Sequence, residues 1–327
     1  MFWLRVPQKV YFKKGCMPVA LDELGAVYNK KKALIVTDSF LYKEGYIKPI
    51  EEKLNALGIQ HTSFFNIQAE PALVSAKEGA KAAALFEPDV IIAVGGGSVI
   101  DTAKIIRVLY EYPEADFADL ASRFNDIRKR EELFPKTGIK AHLVAIPTSS
   151  GTGSEVSPFA VITDEGVTYT VADYQLLPDI AVIDADFMMV QPKELTVSAG
   201  FTALVHAVQA YVSDSASDYT DGFAIKALQN IFAYVPSAYE KGADDPIARE
   251  KLSEASTMAG IAFANAYDKT SGIAYGVKGA KDFVSSISGK RYVELAKAVG
   301  IESNNDAQAV ELFAAKINEL IKICGIA

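Results

Sequence analysis

The chain has 327 residues, half of them hydrophobic and 23% charged, with a net charge of −8 at pH 7. That length exceeds one ordinary core and predicts two domains. The composition excludes a disordered polypeptide, and the acidity (pI about 5.1) argues against nucleic acid and anionic membranes as partners.

Two cysteines, Cys16 and Cys324, lie at opposite ends of the chain. They make no disulfide framework, so a reducing, cytoplasmic setting is expected. The start, "MFWLRVPQKVYFKKG", lacks a long apolar run behind a basic segment and does not read as a secretory leader. No stretch reaches the ~18 consecutive apolar residues of a membrane helix. The basic cluster "IRKREE" near residue 130 has acids beside it and reads as a solvated helix face.

In chain order, "ALIVT" (33–37) predicts a buried strand and "YIKPIEEKLNALG" (46–58) a helix ending at glycine. "HTSFFNI" (61–67) reads as a strand and residues 72–87 as a helix. "DVIIAV" (89–94) is an all-apolar strand running into "GGGS". Residues 99–112 read as a helix and "HLVAIP" (142–147) as another apolar strand. Strands apolar throughout, alternating with helices, predict a parallel sheet covered on both faces, a doubly wound α/β domain. Around "DEG" (164–166), β-branched runs suggest a hairpin, followed by the strand "IAVID". From Pro192 onward the periodicity is 3.6. The expected domains are 1–189, α/β and nucleotide-binding, and 190–327, all-α.

Two loops carry the chemistry. Gly95, Gly96, Gly97 and Ser98 join a strand to a helix, where a small backbone and free N–H groups suit a pyrophosphate. The run is not GxGxxG, and a tight turn alone would explain it equally well. The second loop, "IPTSSGTGSEVSPF" (146–159), follows the next strong strand and is rich in hydroxyls. Two such loops at carboxyl ends of one parallel sheet lie where doubly wound folds bind ligands. Asp38, at the end of its strand, suits a ribose 2′-hydroxyl; it also suits a helix N-cap.

The stretches "RVPQKVYFKKGC", "KEGAKAAALFEPDVIIAVGGGSVIDTAK", "AIPTSSGTGSEVSPFAVITD", "ADYQLLPDIAVIDADFM", "SDYTDGFAIKAL" and "AGIAFANA" run from residue 4 to about 266. They resemble the iron-containing (group III) alcohol dehydrogenase family, most closely the alcohol dehydrogenase half of bifunctional aldehyde–alcohol dehydrogenases. The resemblance implies a dehydroquinate synthase-like architecture with the active site in the cleft between domains. It implies NAD bound by Asp38, Gly95–Ser98, Asp101, Thr148, Ser149, Thr152 and Ser154. It also implies iron or zinc polarising a small alcohol or aldehyde for hydride exchange with nicotinamide, and association into oligomers.

The chain departs from that pattern at the metal. Family members ligate it with one aspartate and three histidines, the aspartate and first histidine one helical turn apart. Those positions here are Thr202 and His206. No histidine follows His206, and His61 and His142 lie in or beside strands of the first domain. Gln209 and Thr168 replace a glutamate and a lysine of the relatives. Asp268 and Asp282 are the carboxylates that could rebuild a site, and Lys278 or Tyr275 the groups that could serve as a base. Two functions follow: an NAD-dependent dehydrogenase of primary alcohols, or a silent relative that binds NAD or packs against an active subunit, with a shortened form of the enzyme as a variant of the second. A third reading, glycerol phosphate dehydrogenase or dehydroquinate synthase chemistry, meets the same ligand loss and lacks the cations a phosphate substrate wants.

Overall fold

The computed structural model describes residues 3–67, 72–121, 134–267, 276–284 and 287–325. The basic cluster near residue 130, Asp268 and Tyr275 lie outside them. Contacts group the chain into two compact units: residues 5–148 with 154–187, and residues 149–153 with 188–327 and the first four residues.

The first unit holds β1 (Lys9–Phe12), α1 (Met17–Ala26), β2 (Lys32–Thr37), α2 (Ser39–Lys43), α3 (Lys48–Ala56), β3 (Gln60–Phe64), α4 (Leu73–Phe86), β4 (Val90–Gly95) and α5 (Gly97–Glu111). It continues with α6 (Phe117–Ala121), β5 (His142–Pro147), β6 (Phe159–Asp164), β7 (Val167–Ala172) and β8 (Ile180–Ile183). Six strands form one parallel sheet in the order β1-β8-β5-β4-β2-β3. Strands β4 and β8 are buried at every residue, and β2 and β5 at all but the first.

The alternation of side chains sorts these strands between two cores. Ala33, Ile35, Ile92 and Val94 pack with α1 and α3 through Leu21, Leu24, Ile50 and Leu54. Leu34, Val36, Ile91 and Ala93 pack with α4 and α5 through Ala76, Ala83, Ile105 and Ile106. The chain moves from β2 outward to β3, then returns to place β4 on the other side of β2. That reversal puts a topological switch point between β2 and β4.

The hairpin β6–β7 closes through Glu165 and Gly166, both at positive φ, which is what a two-residue hairpin loop demands. The helix expected over 46–58 is shorter, because Pro49 sets its first turn. The five residues after Asp38 form a separate helix, α2, too short to show periodicity. Strand β1 was not legible either: at the sheet edge its first three residues are half-buried and Phe12 is exposed.

The second unit is helical: α7 (Lys193–Val212), α8 (Asp218–Lys241), α9 (Pro246–Ala266), α10 (Gly276–Val284), α11 (Lys290–Ala298) and α12 (Asp306–Ile323). Although no run in it is wholly apolar, α7 is long and apolar enough to cross a membrane by length and composition. It is instead the core helix of this unit, with 78% of the qualifying stretch buried. Its small and hydroxyl residues interrupt any apolar run while still packing out of water. Buried Arg249 ties α9 to the start of α7, donating to Thr196 Oγ1 at 2.6 Å and to the Gln191 carbonyl at 2.8 Å.

Candidate cofactor site and metal position

In register, Thr37 lies beside Val94 and Gly95 beside Pro147. The carboxyl ends of β2, β4 and β5 therefore stand side by side and bring Asp38, Gly95 and Thr148 together. The Thr148 N–H donates to the Gly95 carbonyl at 3.0 Å and ties the two loops at their roots. Gly96 is the N-cap of α5 and has no side chain to cap it. The first turn of this 15-residue helix therefore carries no side-chain cap, and its positive dipole end is presented by small backbone groups. Gly96, Gly97 and Ser98 are half-buried. A Cβ on Gly95 would meet Val99 side-chain atoms at 2.5 Å, so the turn from strand to helix is drawn too tight for alanine.

Asp38 caps α2: its Oδ1 accepts from the Phe40 and Leu41 N–H groups, both at 2.9 Å. Both bonds go to one oxygen, which leaves Oδ2 for a donor from outside. N-cap and ribose acceptor, posed as alternatives by the sequence, are compatible in this geometry.

Asp101 has internal partners. It is 6% exposed, one helical turn into α5. One oxygen accepts from the Val161 N–H at 2.9 Å, Ser154 donates to the carboxylate, and the Lys104 Nζ lies 3.5 Å away. Lys104 is fully buried and also donates to the carbonyls of Ser157, at 3.0 Å, and Phe159. Burial pushes the Asp101 carboxyl up and the Lys104 ammonium down, and each charge opposes the shift of the other. The pair staples α5 to β6. The sequence concealed it, because Asp and Lys at i, i+3 usually mark a solvated helix face. At the far end of α5, buried Glu111 accepts from the N–H groups of Gly138, Ile139, Lys140 and Ala141.

Ser149 and Thr152 are half-buried in the segment that groups with the helices. Its glycines have packing roles that the hydroxyl-rich reading missed. A Cβ on Gly151 would meet Ala199 of α7 at 2.7 Å. Gly153, at φ +65°, approaches Gly260 of α9 so closely that a Cβ would lie 2.5 Å from its Cα.

On α7, Thr202 and His206 are 4% and 2% exposed. The His206 ring lies flat on Phe263 of α9, centroids 4.4 Å apart and planes 13° from parallel. Burial lowers its pKa to about 4, so it is neutral at physiological pH. The Thr202 hydroxyl donates to the Ser198 carbonyl at 2.9 Å and accepts from the Gly276 N–H at 2.8 Å. Half-buried Gln209 lies on the same helix; Lys278 and Asp282 are exposed on α10. In the first unit, His61 Nε2 sits 3.3 Å from Asn55 Oδ1, His142 lies edge-on to Tyr28, and Thr168 bonds Thr163 across the hairpin.

Two family descriptions match this chain: "Iron-containing alcohol dehydrogenase" over residues 7–185 and "Fe-containing alcohol dehydrogenase family, C-terminal" over residues 196–274. The chain belongs to the iron-containing alcohol dehydrogenase family. It is 49% identical over 269 residues to the bifunctional aldehyde-alcohol dehydrogenase AdhE of Escherichia coli K12, 82% of this chain but 30% of that protein. It spans under a third of the length of that relative. The NADPH-dependent butanol dehydrogenase of Clostridium saccharobutylicum is 32% identical over 98% of this chain and 84% of its own length. The solved iron-containing alcohol dehydrogenase of Thermococcus thioreducens matches with TM-score 0.85 at 30% identity, covering 100% of this chain and 86% of that one.

Among the described residues, the metal that membership in the iron-containing alcohol dehydrogenases implies finds no matching ligand set. A zinc or iron site needs at least three strong protein ligands. The Thr202 hydroxyl is engaged at both ends by the backbone, and among the described residues no three of His, Cys, Asp and Glu gather.

Proposed function

We propose that this chain binds NAD and belongs, by activity class, with enzymes that exchange hydride between NAD and a small primary alcohol or its aldehyde. The observation that supports this most directly is the row Asp38, Gly95–Ser98 and Thr148 at the switch point between β2 and β4. Doubly wound folds take dinucleotides there. The amides of Gly96, Gly97 and Ser98 would receive the pyrophosphate at the start of α5, and Asp38 Oδ2 the ribose hydroxyls. A 2′-phosphate would meet the Asp38 charge, so NAD is preferred over NADP even though one relative is named NADPH-dependent. Thr148 and Ser154, on the same unit, would serve the same ligand, while Asp101 holds Ser154 from behind. The same reading places the chain in the cytoplasm and in a homo-oligomer.

A second reading, NAD binding without turnover, rests on the two hydrogen bonds that engage the Thr202 hydroxyl where relatives carry a metal-binding aspartate. Calorimetric titration with NAD and NADP tests the first half of the proposal. A gain in absorbance at 340 nm with ethanol or butanol separates the two readings. Failure to bind NAD would refute both.

A further inference from the structure

We propose that the family's metal-ligand position has become a hydrogen-bonded latch in this chain: Thr202 fastens the start of α10 to α7, and the Thr202–His206 pair holds no iron or zinc. This goes beyond the cofactor reading and does not depend on it.

The hydroxyl's two bonds differ in weight. Donation to Ser198, four residues back, is the usual habit of threonine inside a helix. Acceptance from Gly276 is not local, since the partner is 74 residues away. Gly276 is buried, and its N–H needs an acceptor there. Thr202 supplies it. Gly276 also stands at φ +64°, a conformation that disfavours other residues, and its Cβ position lies 3.1 Å from Ser198 Oγ. The close approach of α10 to α7 is thus built into both sides. Behind it, Ala280 is fully buried.

The same geometry argues against a cation. The hydroxyl proton is committed to Ser198. The amide hydrogen of Gly276 points at the same oxygen and places positive charge where a metal would have to sit. One turn along, His206 lies face to face with Phe263, an arrangement of two packed rings. The chain offers no later histidine to complete a set.

The test has two readouts on the full chain. Metal is counted after reducing incubation with ferrous iron or zinc and removal of the excess. Below about 0.1 ion per chain is expected for wild type and His206→Ala alike, since a site short of three ligands holds neither ion tightly. Near one ion per chain that disappears in His206→Ala overturns the proposal; an ion that survives His206→Ala sits elsewhere and supports it. Hydrogen–deuterium exchange of the peptide containing Gly276 reads the latch. Thr202→Val should speed exchange there at least tenfold, the loss of one buried bond, while Thr202→Ser keeps it slow. Equal protection in Thr202→Val and wild type also overturns it.

Discussion

Replacing Lys104 with methionine removes the cation that faces Asp101 and β6 from the buried side of α5. Methionine fills most of the volume, so the loss is chiefly electrostatic. Asp101, 6% exposed, would keep its bond from Val161 but lose its counter-charge at 3.5 Å. The Ser157 and Phe159 carbonyls would lose a donor. Breaking one side of a buried pair costs about 3–5 kcal/mol, because the surviving charge stays out of water. A domain holds only about 5–15 kcal/mol in total, so Lys104→Met should be marginal at 25 °C. Adding Asp101→Asn should recover more than half of the loss, since the amide oxygen still accepts from Val161 and carries no charge. The single variant should also regain stability as pH falls from 7 towards 5, because burial already raises the Asp101 pKa and the orphaned carboxylate then takes a proton. Urea unfolding of wild type, single and double variants at both pH values gives the cycle. A cost below about 1 kcal/mol for the single variant, or a double variant no better than the single, would refute the buried-pair account.

Four further outcomes follow. His206→Phe should remove a pH dependence: above pH 6.5 the imidazole is neutral folded and unfolded, but between 6.5 and about 4 only the unfolded chain binds the proton. Wild type should therefore lose about 3 kcal/mol more than the variant across that window, at 1.36 kcal/mol per pH unit, in paired urea titrations. Gly153→Ala should cost about 2–4 kcal/mol in thermal melts, combining left-handed backbone with a collision against Gly260. Glu111→Gln should cost about 2 kcal/mol in urea, since one amide oxygen cannot receive four N–H groups. Asp38→Ala should narrow the preference for NAD over NADP at least tenfold by calorimetry, about 1.4 kcal/mol, and should cost about 1 kcal/mol through the lost cap.

The sheet was legible because "ALIVT", "DVIIAV" and "HLVAIP" are apolar on both faces, which only a sheet covered on both sides demands. The glycine turn was legible because it breaks a strand and opens a helix. What stayed hidden depends on partners far along the chain. Lys104 looks like a surface residue until Ser157 and Phe159 fold over it. Gly151 and Gly153 look like ligand-loop glycines until α7 and α9 arrive beside them. The missing carboxylate at Thr202 was plain in the sequence, but the acceptor role that replaced it was not, since Gly276 carries no sign of needing one. Residues 149–153 group with the helices rather than with the sheet for the same reason.

The strand order also sets a timetable. β1 is made before the other strands of its sheet, yet among the described strands its neighbour is β8, with Lys9 beside Ile180. At about 5–20 residues per second of synthesis, that neighbour emerges on the order of ten to thirty seconds later. Strands β2, β3, β4 and β5 can assemble among themselves in the meantime. The first strand of this sheet to be made is thus among the last to be seated, and for that interval "KVYF" is carried as an unclaimed strand on a half-built sheet. Synonymous changes that slow translation between residues 12 and 180 would lengthen that exposure without altering one side chain.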